Sequence, residues 1–208
     1  MSIPQNPPQP HASVLVRPAR ADESAHVAWL AALTFPSACP PGTSVATMAA
    51  HVAAHLSPEA VRGWVDSDAY ALLVAVDGDH DSSTVPTTPT APLGYALVSF
   101  GEPDGDEERQ VLRAVVGPGP YAELSKIYVH PDVLGGGVAA RLLEAAVASV
   151  AERAGTVGVD APLWLGTNAQ NARAQSFYRK HGFEVAGTRT YDVGGVRHDD
   201  VVMVRRPA

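Results

Sequence analysis

From Tyr121 to Thr167 the chain reads "YAELSKIYVHPDVLGGGVAARLLEAAVASVAERAGTVGVDAPLWLGT". It divides into a strand, a turn with three consecutive glycines (Gly135, Gly136 and Gly137), a helical run to about Ala154 and a second strand. Two strands joined through a helix belong side by side and parallel, because a hairpin cannot make that connection. No other part of the chain imposes so specific a topology.

The flanking segments do not repeat this unit. "SVLVRPAR" (Ser13 to Arg20) alternates like a strand, and Asp22 is placed to cap a helix through "SAHVAWLAALTF" that stops at Pro36. A second helix is expected over "SVATMAAHVAAHL", broken at Ser57-Pro58, and a short third in "EAVRGWV". "YALLVAVDG" and "PLGYALVSFG" read as two antiparallel strands joined by the polar, low-complexity "DHDSSTVPTTPTA", a mobile loop. "EPDGDEERQVLRAVVGPGP" is expected to be irregular. After the crossover come a helix in "QNARAQSFYRKHG" and two closing strands, "FEVAGTRTYDVGG" and "DDVVMVRRP". The sum is a mixed α/β layer with one parallel crossover at its centre and no internal repeat.

Composition narrows the classes. With 208 residues, 46% hydrophobic and 18% charged, the chain is expected to form a single domain over residues 13–206, behind a disordered Pro-rich tail at 1–12. No apolar run reaches the roughly 20 residues that span a bilayer, and the N-terminus carries no basic and apolar leader pattern, so a cytoplasmic protein is expected. The single cysteine, Cys39, excludes an intrachain disulfide framework and a cysteine-rich metal site. A net charge of −7 argues against nucleic acid as a partner and mildly favours a cationic one.

A glycine-rich turn opening a helix is suited to an anion. About four N–H groups at a helix start lack intrahelical partners, and about half a positive charge accumulates there. Glycines let a phosphate reach those donors and adopt the φ > 0 turns such a cradle uses. A tight, ligand-free turn is the plain alternative. Two ligand classes fit. Gly135, Gly137 and Ala140 satisfy G-x-G-x-x-G/A, the fingerprint of a nicotinamide or flavin site, which requires repeated βαβ units and an acidic residue about 20 positions on. Here one crossover follows, and the next strand ends in "LGTN".

The other ligand is an acyl-CoA. "ELSKIYVHPDVLGGGVAARLL" resembles the signature of the GNAT superfamily of acetyl-CoA-dependent N-acyltransferases, a strand and Val-x-Pro followed by Q/R-x-x-G-x-G/A at a helix start. "NARAQSFYRKHGF" resembles the same superfamily's second block at Asn171, Ala174, Phe177, Tyr178, Gly182 and Phe183. The resemblance covers nearly the whole chain from Val14 to Val204. It implies an α/β fold with a mixed, mostly antiparallel sheet splayed at its middle and helices on both faces. One position departs, since Leu134 stands where the family has Gln or Arg. Main-chain donors from Gly135 through Gly136, Gly137 and Val138 to Ala139 are then expected to hold the pyrophosphate, with Arg141 a weak candidate for the missing charge.

The resemblance also implies site roles. Ile127, Tyr128 and Val129 would pair with the pantetheine arm across the splay, the Val129 N–H facing the thioester oxygen. Asn171 would belong to the cofactor site, and Tyr178 would stabilise the departing thiolate. Glu123, six residues before Val129, is the candidate base, with Ser125 on the same strand face unless a bulge intervenes. Phe35 and Pro36, after the first helix, are expected either to border the acceptor or to form a hydrophobic plug that ends the helix. His51 and His55 have ligand-like spacing, but Val52 replaces the Glu of H-E-x-x-H, and no metal is expected. Cys39 is expected to be an apolar lining residue.

The resulting expectation is an N-acetyltransferase acting directly from acetyl-CoA on a primary amine of a small molecule or peptide, with homodimerisation open. A catalytically degenerate acyl-CoA-binding module is the alternative, and a Rossmann oxidoreductase a more distant one.

Overall fold

The computed structural model describes residues 14–39, 42–78, 91–157, 160–193 and 196–207. Its strands are β1 (Val14–Pro18), β2 (Tyr70–Asp77), β3 (Gly94–Gly101), β4 (Tyr121–Val129), β5 (Leu163–Asn168), β6 (Glu184–Val193) and β7 (Val196–Arg205). They form a 7-stranded sheet in the order β1-β2-β3-β4-β5-β7-β6. Every neighbouring pair is antiparallel except β4 and β5. The helices are α1 (Ser24–Thr34), α2 (Val45–His55), α3 (Pro58–Val65), α4 (Asp106–Val116), α5 (Val138–Val157) and α6 (Ala172–Lys180).

Period-two alternation assigns the two faces. On β2, Leu73 and Ala75 enter a core with α5, whose Leu142, Leu143, Ala146 and Val150 fall on one helical stripe. Leu72, Val74 and Val76 enter a second core with Val27, Leu30 and Ala31 of α1 and Val61 of α3. Each fully buried leucine in these layers contributes roughly 1.5–3 kcal/mol relative to exposure.

Two irregularities shape the middle of the sheet. Leu97 pairs with Lys126 and Val98 with Leu124, so Ser125 is an extra residue on β4. The bulge reverses the side-chain parity, so Ala122 and Leu124 before it and Ile127 and Val129 after it all pack on the α5 side. The second irregularity is a fork. β4 and β5 pair only at Ala122 with Leu163 and at Glu123 with Trp164. Beyond that, β5 keeps its pairing with β7 as far as Asn168, opposite Asp200.

Three expectations need correction. The segment expected to be irregular contains α4, an amphipathic helix whose Asp106, Glu107 and Glu108 lie in the first turn, where acidic groups complement the dipole. Leu112 of α4 is fully buried against Tyr121, Trp164, Val202 and Val204. Asp22 does not cap the first helix. A 3-10 turn, Ala21–Glu23, precedes α1. Glu23 accepts from the Arg20 N–H at 2.8 Å and from the Arg17 guanidinium at 2.9 and 2.8 Å, a reach that the shorter Asp22 side chain does not have. The closing hairpin is longer than expected, since β7 begins at Val196. The tail at 1–12 and nearly all of "DHDSSTVPTTPTA" lie outside the described residues.

Candidate active site

The glycine turn is built from the strand end outward. His130 Nδ1 accepts from the Asp132 N–H at 3.3 Å, and a 3-10 turn, Pro131–Val133, leads to Leu134, which is 49% exposed. Gly135 and Gly137 have φ of +85° and +82°, and a Cβ on either would meet nothing within 4 Å. The positive φ favours glycine, and the space that a Cβ would enter is open. The first helical bond runs from the Arg141 N–H to the Gly137 carbonyl at 3.2 Å, so the N–H groups of Val138 and Ala139 have no partner in the helix. Gly136 departs from expectation, because its N–H donates to the Val133 carbonyl at 3.2 Å. Arg141 does too. Its guanidinium donates to the Val14 carbonyl at 2.7 Å, which anchors β1 to α5.

Below the turn lies the fork. The Ala122 N–H reaches toward β5, to the Pro162 carbonyl at 3.1 Å, and the His130 N–H reaches toward β3, to the Leu93 carbonyl at 2.8 Å. Alternation back from His130 then points the Ile127 and Val129 N–H groups away from β3 and into the fork. Tyr128 packs its ring 5.7 Å from that of Tyr95. A cavity of about 500 Å³ fills the fork, with Ile127 and Tyr128 on one wall, Gly166 to Asn168 on the other, and Asn171 and Tyr178 of the α6 segment at its end. Asn171 caps α6, its side chain accepting from the Ala174 N–H at 3.0 Å. The Tyr178 ring packs on Phe177 and Phe183 at 5.3 and 5.7 Å. Burial, with Tyr128 adding to it, pushes the Tyr178 phenol well above its ordinary value.

A second cavity, about 670 Å³, adjoins the first. Glu123 lines it, and the two cavities share His51, Ser125 and Lys126. Glu123 accepts from the Ser99 hydroxyl at 3.3 Å. Burial raises its pKa, against the opposing influence of Arg189, Ser99 and Lys126. Lys126 is the residue that sequence reasoning missed. Strict alternation would send it to the other face from Glu123, whereas the bulge at Ser125 brings both to one cavity. Burial lowers the Lys126 ammonium below its usual range, and Glu123 partly offsets this.

Around the mouth, Phe35 stacks on His51 at 4.4 Å and lines the fork cavity with Cys39, whose thiol donates to the Phe35 carbonyl at 3.5 Å. Pro36 is exposed and lines neither cavity. His51 and His55 lie 4.7 Å apart, ring to ring. Among the described residues no group of three or more His, Cys, Asp or Glu is arranged to hold a metal. On the far wall Arg189 is held by Glu108 at 3.1 Å and Asp200 at 3.5 Å, contacts between α4 and the closing hairpin that the sequence did not disclose.

A mostly antiparallel sheet forked around a single parallel crossover, with a glycine-turned helix start above the fork, defines a class of acyl-transferring folds rather than a Rossmann unit. Residues 46–183 match the model of the acetyltransferase (GNAT) family. The chain belongs to that family and is an acyltransferase. It is 37% identical over 185 residues to an uncharacterised N-acetyltransferase of Mycobacterium tuberculosis, covering 89% of this chain and 96% of that one. Its fold is similar to that of the PaiA N-acetyltransferase from Thermoplasma acidophilum in complex with coenzyme A. That match has a TM-score of 0.64, 16% identity, and covers 94% and 99% of the two chains. The ribosomal-protein-alanine N-acetyltransferase from Brucella melitensis is similar at TM-score 0.61 and 21% identity, covering 93% and 99%. No helix among the described residues is long and apolar enough to cross a membrane.

Proposed function

We propose that this chain transfers an acetyl group directly from acetyl-CoA to a primary amine, without a covalent enzyme intermediate. The observation that carries the reading is the junction of the two cavities, one ending at Tyr178 in the fork and the other at Glu123, which meet along Ser125 and Lys126. The fit to the donor is favourable. The space before Gly135 and Gly137 is open, and the main-chain N–H groups of Gly137, Val138 and Ala139 are the natural holders of a pyrophosphate. Acetyl-CoA supplies the thioester. The inward-facing N–H groups of Ile127 and Val129 suit an extended pantetheine arm and its carbonyl oxygen.

The chemistry of the two side chains divides accordingly. An amine of pKa near 10 is only about a thousandth neutral at pH 7, a cost of roughly 4 kcal/mol, so a proton acceptor is required. Glu123 is suited to that role because burial makes it a stronger base than a solvated carboxylate. In the transfer Glu123 takes the ammonium proton, the freed amine nitrogen forms the new bond to the acetyl carbon, the carbon–sulfur bond breaks, and the second nitrogen proton goes to the departing sulfur, which leaves as the thiol. Full proton transfer from Tyr178 to a departing thiolate is uphill by roughly 2 kcal/mol even for an ordinary phenol and thiol. Burial of Tyr178 increases that cost. Its role is therefore a hydrogen bond to the thiolate.

Calorimetric titration with acetyl-CoA, alongside NAD, tests the donor half, and an amine screen by thiol release tests the acceptor half. Micromolar acetyl-CoA binding without NAD binding supports the reading, and absence of acetyl-CoA binding refutes it. The exposed, non-polar Leu134 favours a second reading, an acyl-CoA-binding module without turnover. Binding with no thiol release for any amine would establish that one.

A further inference from the structure

Lys126 poses a problem that the transfer reaction does not solve. Its ammonium is drawn into the protein to within 5.5 Å of the Trp64 ring centroid. Glu123, on the same cavity wall, acts on it electrostatically, yet among the described residues the two form no ion pair. Arg189, the other cation near Glu123, is engaged by Glu108 and Asp200. A cation and a carboxylate thus line one cavity, each desolvated and neither in an ion pair among the described residues. A desolvated charge without a partner is costly, and a ligand that brings both opposite charges relieves both costs at once.

Building on the proposed transfer reaction, we propose that the acceptor is a free amino acid, its amine directed to Glu123 and its carboxylate to Lys126. A zwitterion carries an ammonium and a carboxylate attached to one carbon, and so offers an opposite charge to each of the two residues that line this cavity. A polyamine instead brings further positive charge toward Lys126. An internal or amino-terminal peptide residue has an amide in place of the carboxylate and leaves Lys126 unneutralised. The cavity volume, about 670 Å³, lies in the range of about 300–1,000 Å³ that accommodates small molecules. Trp64, Tyr70 and Phe100 on its walls offer apolar surface for the side chain. The lowered pKa of Lys126 and the raised pKa of Glu123 agree with desolvation outweighing the attraction between them.

The test is a thiol-release panel with acetyl-CoA, comprising the common free amino acids, their methyl esters, short peptides and 1,4-diaminobutane. The expected result is at least one free amino acid with kcat/KM about tenfold or more above its own ester and above the diamine, because a site built for a polar group rejects the analogue that lacks it. Lys126→Gln should collapse that gap to about threefold or less, mainly through KM, and Lys126→Arg should retain it. Esters, peptides or the diamine matching or exceeding the free acids would overturn the proposal, as would a gap that persists in Lys126→Gln. Calorimetry with acetyl-CoA separates the two levels. If wild type binds the donor and acetylates other amines but no free amino acid, this inference fails and the transfer reading stands. If wild type does not bind the donor, the transfer reading itself fails.

Discussion

Replacing Gly137 by alanine separates two reasons for a glycine at the head of α5. At φ of +82° an L-residue pays roughly 1–2 kcal/mol for the left-handed conformation. No protein atom lies within 4 Å of the added methyl, so no clash adds to this figure. For a chain of this size 1 kcal/mol corresponds to about 2–4 °C, so the melting temperature should fall by about 2–8 °C. Gly182 provides the control. Its φ is +84°, its Cβ would meet Arg205 at an ordinary 3.5 Å, and it follows the C-terminal end of α6 rather than opening α5. Gly182→Ala should therefore lower stability by a similar amount and leave the donor site unchanged. In Gly137→Ala the methyl also enters the open space at the helix start, and if that space holds the phosphates acetyl-CoA should bind at least tenfold more weakly, about 1.4 kcal/mol. Thermal melts and calorimetric titration of both variants decide the matter. Equal melting losses with unchanged acetyl-CoA affinity in Gly137→Ala would refute the cradle, leaving the glycine with a turn-forming role only.

Tyr178→Phe removes the hydroxyl and keeps the packing on Phe177 and Phe183, so kcat should fall by about 10²-fold while acetyl-CoA affinity stays within error; an undiminished kcat would remove Tyr178 from the mechanism. Glu123→Gln should abolish most turnover and, with it, the acidic limb of the kcat/KM profile, which in the wild type should lie above the ordinary carboxylate value because burial raises the Glu123 pKa. The same shift has a stability consequence. A raised folded pKa gives stability that is full below the unfolded value and declines as pH rises through the folded one. Glu123→Gln should therefore melt higher than wild type at pH 7, and by progressively less toward pH 4. Leu134→Arg, at an exposed position, should change stability by no more than about 0.5 kcal/mol and tighten acetyl-CoA several-fold; unchanged affinity would mean that the main chain alone holds the phosphates.

Much of the architecture was legible because it rests on local chemistry. Alternating apolar residues mark β2 and β3, Ser57-Pro58 divides α2 from α3, and the strand, glycine turn and helix around Gly135 and Gly137 read directly from residue type. α4 was missed because its charged first turn and flanking glycines resemble a loop, although the acidic start and the glycine after Val116 also suit a helix, and burial of Leu112 against Tyr121 and Trp164 holds it to the sheet. Adjacency in sequence likewise does not say which side chain faces the cavity, and Phe35 lines it while Pro36 does not.

The sequence by itself determined the crossover and the glycine-headed helix, because each depends on periodicity or backbone freedom within a short stretch, and its family resemblance singled out Glu123 and Tyr178 as candidates. Only the tertiary structure decided that Lys126 shares a cavity with Glu123. That depends on one extra residue in β4 relative to β3, a mismatch between two strands that neither strand's own sequence records. The fork has the same origin. β5 continues along β7 while β4 follows β3, and the divergence of two pairings, set by residues far apart in the chain, creates the space in which the chemistry would take place.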